Sequence, residues 1–207
     1  METPTDTYHH GDLRRALMNG ALALVRERGL EALSLREVAA RAGVSHAAPY
    51  HHFADKAAVV RALGFEGLRL LDERMARAES AAPDDPLERL IAIGVAYVLF
   101  MTEHREYFAV MGAPEMRDPE AQATAEDHGE SWERLVRSVT ACQEAGLLLE
   151  GDPVVLAIGM WSFVQGFADL WNTSAVPLMP QASGGVGQLA ERVLRATLTT
   201  SAPNSRG

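Results

Sequence analysis

Apolar residues recur at intervals of three and four along almost the whole 207-residue chain, and no stretch shows the sustained alternation of a strand. This spacing predicts an all-α protein of about nine helices. Their approximate ranges are 11–29, 34–43, 45–53, 56–79, 87–104, 105–111, 120–145, 153–171 and 187–199. Residues 201–207 are rich in small and polar types, which favours a flexible tail.

Local signals mark several of these helix ends. Ser34 is followed by Glu37, the spacing of a capping box, and Gly43 suits the left-handed end of the same helix. Asp55 is the expected cap of the fourth helix. The longest apolar run, 90–101, is shorter than the roughly 20 residues that a membrane helix requires. We therefore expect a buried helix there and no membrane partner.

Charge is distributed unevenly along the chain. The net charge is -9, yet residues 1–65 carry eight Arg/Lys against seven Asp/Glu, a balance of +1, and residues 66–207 carry eleven against twenty-one, a balance of -10. Because the acidic excess is confined to residues 66–207, a surface that binds a polyanion is still possible within residues 1–65. The amino terminus has neither a basic start nor an apolar run, so we expect no signal peptide and a cytoplasmic protein.

Residues that could hold a metal or a cofactor are scarce. A single cysteine, Cys142, excludes an internal disulfide and a cysteine-rich zinc site. The pairs His9/His10 and His51/His52 are adjacent, and adjacent side chains point to different faces of a helix. We accordingly predict no metal site and no cofactor.

The most informative segment is 34–53, which has the pattern of a helix, a short turn and a second helix. Ala39 is small where two helices cross, Gly43 allows a positive φ, and Val44 fills the space between the helices. Ser45 is the expected cap of the second helix. This pattern predicts a helix-turn-helix, whose second helix enters the DNA major groove. The alternative is an ordinary helical hairpin, which needs no outward cluster of polar-tipped residues such as His46, Tyr50, His51 and His52.

The run from Gly43-Val44-Ser45 through Tyr50-His51-His52-Phe53 to Asp55-Lys56 resembles the turn and recognition helix of the tetracycline-repressor (TetR) family of bacterial transcriptional regulators. The resemblance covers residues 8–65 and includes the leader 8–14. It implies a three-helix DNA-binding domain at 8–60 and a helical ligand-binding and dimerisation domain at 61–200. The segment Trp161–Gly166 is similar to the Trp…His-Gly signature of one TetR subgroup, with Gln165 in place of the histidine.

The resemblance implies a role for each matching residue. Ser45 would cap the recognition helix and touch a phosphate, while His46 and Ala47 would meet base edges. The expected phosphate contacts are Tyr50, His51, His52, Lys56, Arg36 and Arg14, and His51 could also reach a base. A helix-turn-helix monomer makes few contacts, so we expect a homodimer on a palindromic double-stranded operator.

Small residues on the helix at 153–171 are consistent with that dimer. Gly159, Ser162 and Gly166 form one stripe, which allows close approach either of a second subunit or of another helix of the same chain. The last helix has a second stripe, apolar apart from Thr197, formed by Val186, Leu189, Val193 and Ala196 or Thr197. The resemblance favours a four-helix dimer bundle built from these two helices of each subunit.

The resemblance also implies a small-molecule effector. An apolar cavity with few polar groups is what such a ligand needs, although an ordinary core would explain the same residues. The expected site is formed by Tyr97, Met101, His104, Phe108, Trp132, Trp161 and Gln165, and the expected effector is apolar or aromatic. Its binding would lower operator affinity by changing the separation of the two DNA-reading heads.

The function predicted from the sequence is that of a homodimeric, ligand-released transcriptional repressor. The alternative is an all-α enzyme or a small-molecule-binding protein that does not bind DNA. No P-loop, nucleophile elbow, zinc motif or dinucleotide-binding glycine pattern is present, so we predict that the protein is not an enzyme. A role in chromosome architecture would be typical of a more basic chain than one with a pI near 5.2.

Overall fold

A computed structural model describes residues 10–118, 130–173 and 184–200. Within these ranges the chain is helical and contains no strand. The α-helices are α1 (His10–Arg28), α2 (Leu35–Ala42), α3 (Lys56–Ala81), α4 (Pro86–Glu103), α5 (Arg105–Met111), α6 (Ser131–Glu144), α7 (Pro153–Asn172) and α8 (Gly185–Thr200). Short 3-10 helices occur at Leu30–Ala32, Ala48–His51 and Pro114–Arg117. The all-α prediction is confirmed, while part of the helix expected at 120–145 and the tail at 201–207 lie outside the described residues.

The predicted start and end of α2 and the predicted cap of α3 are confirmed. The backbone N–H of Glu37 donates to Ser34 Oγ at 3.3 Å, which caps α2. Gly43 ends α2 in the left-handed conformation, with φ 69° and ψ 28°. Before α3, the backbone N–H of Ala58 donates to Asp55 Oδ1 at 2.7 Å.

The α-helix predicted at 45–53 is wrong, because the segment forms only the short 3-10 helix Ala48–His51. Pro49 has no N–H, so Ser45 O cannot receive the i→i−4 hydrogen bond of an α-helix from that position. Ser45 O instead accepts from the N–H of Ala48 at 3.0 Å, and Ala47 O accepts from the N–H of Tyr50 at 3.2 Å. The i→i−3 bonding tightens the segment and shortens it.

The chain falls into two compact units. The first comprises residues 1–67 and 105–126. In it α1 packs on α2 and on α5, and Leu17, Val38 and Leu63 are completely buried. Glu106 of α5 is also buried, and its carboxylate is paired with Arg26 of α1 at 2.5 Å. The domain limits expected from the sequence stay predictions.

The second unit comprises residues 68–104 and 127–207 and is built around α4. This helix contacts α6, α7 and α8, and most of the run 90–101 is buried, which confirms the expected buried helix. Ion pairs join the surrounding helices. Arg195 of α8 donates to both oxygens of Glu88 on α4, each at 2.6 Å. Arg134 of α6 pairs with Asp72 at 3.3 Å and Glu79 at 2.5 Å, both on α3.

Helix α7 exposes an unusually apolar surface. Its 20 residues have a mean hydropathy of 1.4 in the most apolar window, of which only 17% is buried. By length and composition alone it is the one helix in the described part of the chain that could cross a membrane. The exposed apolar residues are Val154, Val155, Ile158, Trp161 and Leu170. An exposed apolar face of this kind indicates an interaction surface.

Candidate DNA-binding interface and effector region

The turn after α2 presents polar side chains on a short, anchored segment. Tyr50 is 61% exposed, and Ser45, His46, Ala47 and His51 are exposed as well. His52 is half-buried. The anchors are Pro49 and Phe53, which are both buried. The segment is therefore fixed from beneath while its polar tips face outward, the arrangement that base and phosphate contacts require.

The expected capping role of Ser45 is wrong. The residue that precedes the 3-10 helix is Ala47, and no side chain caps this start. The Ser45 side chain is exposed before the segment, where it remains a candidate phosphate contact.

Two of the candidate phosphate contacts are held next to this segment by the first unit itself. The Arg14 guanidinium lies over the ring of Phe53, with 5.2 Å between its Cζ and the ring centroid. Stacking on an aromatic face leaves the edge of a guanidinium able to donate hydrogen bonds. Lys56, in the first turn of α3, donates from Nζ to the backbone oxygen of Glu31 at 3.4 Å. This long bond leaves the ammonium two further donors.

The arginines on and near α2 differ in whether a carboxylate neutralises them. Arg41 pairs with Glu27, and its guanidinium lowers the pKa of the Glu27 carboxyl. Arg28 pairs with Glu37 at 2.8 Å. Arg36, on the exposed side of α2, has no acidic partner among residues 10–118, 130–173 and 184–200. Arg36 is therefore a stronger phosphate candidate than Arg41.

The stripe of small residues on α7 faces away from the rest of its own chain. A Cβ placed at Gly159 or Gly166 would meet nothing within 4 Å. Ser162 is exposed between them, and Val155 and Ile158 on the same face are 63% and 48% exposed. The stripe therefore makes no close contact with another helix in the described part of the chain. Of the two interpretations of the sequence, close packing within one subunit is thus not supported there, and contact with a second subunit remains.

Four of the seven expected effector residues form a cluster in the second unit. The hydroxyl of Tyr97 on α4 donates to Gln165 Oε1 on α7, and Trp161 Nε1 donates to the same hydroxyl at 3.2 Å. The rings of Trp132 and Trp161 meet edge to face, 6.4 Å apart at an angle of 68°. Tyr97 is buried, and burial raises the pKa of its phenol to about 12. The phenol is therefore a neutral donor at physiological pH.

The other three expected effector residues are placed differently. Met101 is buried one turn after Tyr97. The ring of His104 lies 5.0 Å from that of Phe100. Phe108 belongs to α5 in the first unit, whereas the cluster belongs to the second.

Sequence reasoning missed Asn172, which donates from Nδ2 to the backbone oxygen of Met101 at 3.0 Å. Its Oδ1 is buried and has no hydrogen-bond partner among the described residues. Residues 161, 165, 168 and 172 are spaced by three and four, so Asn172 continues the α7 edge that carries Trp161 and Gln165. This helical spacing could have identified Asn172 from the sequence as a residue on the same edge.

No group of three or more His, Cys, Asp or Glu side chains suited to a metal occurs within the described ranges. The lone thiol, Cys142, is buried in α6, and burial raises its pKa to about 11. A thiol with such a pKa is almost entirely protonated near neutral pH and is a poor nucleophile.

Solved structures with the same fold include several regulators. A protein of unknown function from Rhodococcus sp. RHA1 is 31% identical, with a TM-score of 0.78 over 96% of this chain and 100% of that one. The TetR family transcriptional regulator PfmR from Thermus thermophilus is 23% identical, with a TM-score of 0.65 over the full length of both chains. AibR in complex with isovaleryl coenzyme A and operator DNA is 22% identical, with a TM-score of 0.66 over 92% of this chain and 98% of that one. No protein of curated function matches the chain.

Two family models match the sequence itself. The model for bacterial regulatory proteins of the tetR family matches residues 17–63, which include α2, the turn and the exposed segment. The model for the tetracycline repressor-like C-terminal domain matches residues 90–197, which is more than half of the chain. The narrower resemblance of Trp161–Gly166 to one subgroup stays a prediction. The two matches together show that this chain belongs to the TetR family of bacterial transcriptional regulators.

Proposed function

We propose that the protein is a homodimeric, cytoplasmic repressor that binds a palindromic operator and leaves it when a small apolar or aromatic molecule binds the second unit. The observation that carries the DNA-binding part is the outward presentation of His46, Tyr50 and His51 on a segment anchored by two buried residues. Arg14, Arg36 and Lys56 supply cations in the same unit. In this arrangement His46 and Ala47 face bases, and Ser45, Tyr50, His51, His52 and the cations hold the DNA backbone, with His51 also within reach of a base.

The proposed dimer uses the exposed face of α7 together with α8. Val155 and Ile158 provide apolar area, and the open positions at Gly159 and Gly166 allow another helix to come close. Burying this face in a second copy removes apolar surface from water, which is the main favourable term in association. A lipid bilayer would cover the same face, so the oligomeric state must be measured without detergent and compared with binding to liposomes.

The proposed effector site lies at the cluster of Tyr97, Trp132, Trp161 and Gln165. AibR provides a precedent within the same fold for one chain that binds both a small organic molecule and operator DNA. The aromatic rings supply contact area, and the Tyr97–Gln165 hydrogen bond supplies polarity. Ligand binding would favour one distance between the DNA-binding units of the two subunits. The free energy of operator binding would change by the difference in ligand-binding free energy between the DNA-bound and the released form of the dimer.

The direct test is selection of bound sequences from random double-stranded oligonucleotides with the full-length protein. We expect a palindrome whose half-sites are centred about 10 base pairs apart or a multiple of this spacing. The variant His51→Ala should select a palindrome of the same spacing with a relaxed preference at one position in each half-site. Its matched control is Arg77→Ala, an exposed cation of the second unit, which should select the wild-type sequence.

Absence of any enriched sequence, with the protein folded, would contradict the proposal. It would favour the alternative of an all-α protein that binds or converts small molecules without binding DNA. Enrichment of a single asymmetric half-site would contradict the dimer and leave the DNA-binding segment in place.

A further inference from the structure

One edge of α7 combines aromatic surface with uncharged polar groups. Trp161 is 48% exposed and Trp132, on α6, is 38% exposed, so each indole keeps a large part of its surface open to a ligand. The edge-to-face arrangement of the two indoles leaves ring surface that a planar molecule can cover. Gln165 lies one turn beyond Trp161 on the same edge.

The hydrogen bonds in this cluster leave a defined group unused. The Tyr97 hydroxyl donates to Gln165 Oε1 and accepts from Trp161 Nε1, so both ends of the hydroxyl are engaged. With its oxygen taken by the phenol, Gln165 presents its Nε2 hydrogens, which make no hydrogen bond to the described part of the chain. An amide N–H that faces a ligand selects an acceptor, such as a carbonyl oxygen.

The two helices that carry Tyr97 and Gln165 are uncharged near this donor. On α6, Glu133 follows Trp132, and the arginines Arg134 and Arg137 are already paired with carboxylates. On α4 every residue from 90 to 102 is uncharged, and on α7 every residue from 153 to 168 is uncharged. The nearest charge on the same helix is the carboxylate of Asp169. An anionic ligand would lose hydration and gain no counter-ion from these residues.

We propose that Trp132, Trp161 and Gln165 form a site for a neutral, planar aromatic molecule whose carbonyl oxygen accepts a hydrogen bond from Gln165 Nε2. The inference rests on the proposed function, because it specifies the chemical class of the effector at that site. The indoles supply stacking area and the Tyr97 hydroxyl fixes the Gln165 amide so that its donor faces the ligand. A carboxylate is disfavoured because α4 and α7 offer no cation nearby and the α6 arginines Arg134 and Arg137 are already paired. An ammonium ion would place its donors against the Gln165 donor, which opposes its attraction to the indole faces.

The test compares three probes that share one ring system and differ only in the head group: 2-naphthamide, 2-naphthoate and 2-naphthylmethylammonium. Binding to the full-length protein is measured by isothermal titration calorimetry at pH 7.5. We expect 2-naphthamide to bind at least 10-fold more tightly than either charged probe. Equal or tighter binding of a charged probe overturns the inference, and so does no heat with 2-naphthamide up to its solubility limit.

Two variants of Gln165 test the assigned hydrogen bond. Gln165→Leu keeps the approximate size and removes the amide, so the affinity for 2-naphthamide should fall at least 5-fold. Gln165→Glu introduces a carboxylate at the same place, so the preference should move by at least 10-fold from 2-naphthamide toward 2-naphthylmethylammonium. Unchanged affinities in both variants, with wild-type circular dichroism, overturn the role of Gln165.

The third tryptophan of the chain provides a matched control for the aromatic wall. Trp171 is half-buried on the same helix, ten residues and almost three turns beyond Trp161. Trp161→Leu should weaken 2-naphthamide at least 5-fold, whereas Trp171→Leu should change its affinity less than 2-fold. An equal loss in both variants would show a general effect on α7 and overturn the assigned site.

Failure of the assigned ligand class can be distinguished from failure of the proposed function. If 2-naphthamide binds as expected but does not release selected operator DNA, the site stands and ligand-released repression fails. If operator DNA is bound and is released only by anionic compounds, the proposed function stands and the neutral class assigned here is wrong.

Discussion

The two units expose surfaces of opposite character. The first places histidine, tyrosine and arginine outward around the turn after Gly43, whereas the second exposes valine, isoleucine and glycine along α7. A polar surface with cations suits a phosphate backbone, and an apolar helix face suits another apolar helix. The net charge of -9 describes neither surface. Binding function in this chain therefore depends on where each residue type is exposed and not on the overall balance.

The largest expected effect comes from placing a charge on the apolar face of α7. Ser162→Arg would bury a guanidinium in the proposed dimer contact without a partner, so the dimer should dissociate. Loss of simultaneous contact with two half-sites should lower operator affinity by about 100-fold or more. Sedimentation velocity at micromolar concentration measures the first effect and a fluorescence anisotropy titration the second.

The control for Ser162→Arg is Ala145→Arg, at an exposed position just after α6. It should remain dimeric and bind the operator normally. A wild-type protein that is already monomeric at this concentration would refute the dimer.

The second prediction contrasts a tyrosine that is buried in the second unit with one that is exposed in the first. In the folded state burial raises the pKa of Tyr97 from 10.0 to about 12, so its contribution is fully present below pH 10 and is lost as pH rises through 12. Across this window the free energy of unfolding should fall by about 2 kcal/mol more in the wild type than in Tyr97→Phe. Urea unfolding at several pH values measures it. At neutral pH Tyr50→Phe, at a side chain that is 61% exposed, should leave the free energy of unfolding unchanged.

The third prediction concerns the turn at Gly43, which precedes the proposed DNA-binding segment. Gly43 has φ 69°, a conformation that costs a residue with a Cβ about 1–2 kcal/mol. Gly43→Ala should lower the free energy of unfolding by that amount, measured by urea titration. Gly20→Ala is the control, because its Cβ would make only ordinary contacts, the nearest at 3.6 Å, and alanine favours a helix interior. A destabilised Gly20→Ala beside an unchanged Gly43→Ala would contradict the assigned strain.

The fourth prediction tests whether a cation of the first unit meets phosphate. Lys56→Ala should weaken binding to all DNA sequences by a similar factor and reduce the slope of log affinity against log salt by about one unit. Lys56→Arg keeps the charge and should keep the slope. An unchanged affinity at two salt concentrations would remove Lys56 from the interface.

The smallest effect is expected at Tyr50, the exposed tyrosine of the proposed DNA-binding segment. Tyr50→Phe removes one hydrogen-bonding hydroxyl, so operator affinity should fall by about 0.5–1.5 kcal/mol in free energy. Because the side chain is 61% exposed, the melting temperature should not change. A large loss of thermal stability would indicate a role in the core instead.

Local signals made much of the fold predictable. The cap at Ser34, the left-handed end at Gly43 and the buried run in α4 depend on near neighbours in sequence, and all three are confirmed. The 3-10 form of Ala48–His51 was missed, because Pro49 was treated as a tolerated first-turn residue while its missing N–H shortens the segment.

The candidate sites were predictable in residue type and less so in arrangement. The contact of Arg14 with Phe53 and the bond of Tyr97 with Gln165 join positions 39 and 68 residues apart, and no local pattern encodes them. The small-residue stripe of α7 was ambiguous for the same reason. Its meaning depends on which neighbours are absent at Gly159 and Gly166 within the described ranges, and only coordinates show that.

The shortness of the Ala48–His51 segment has a consequence for how the operator preference could change over evolution. Four residues of 3-10 helix advance only about 8 Å, the length of two to three base pairs. The residues before and within it that face outward contribute little to the buried core, so they can be exchanged without loss of folding. If this segment contacts the operator as proposed, one or two substitutions at its exposed positions would change the preferred DNA sequence and leave the fold intact.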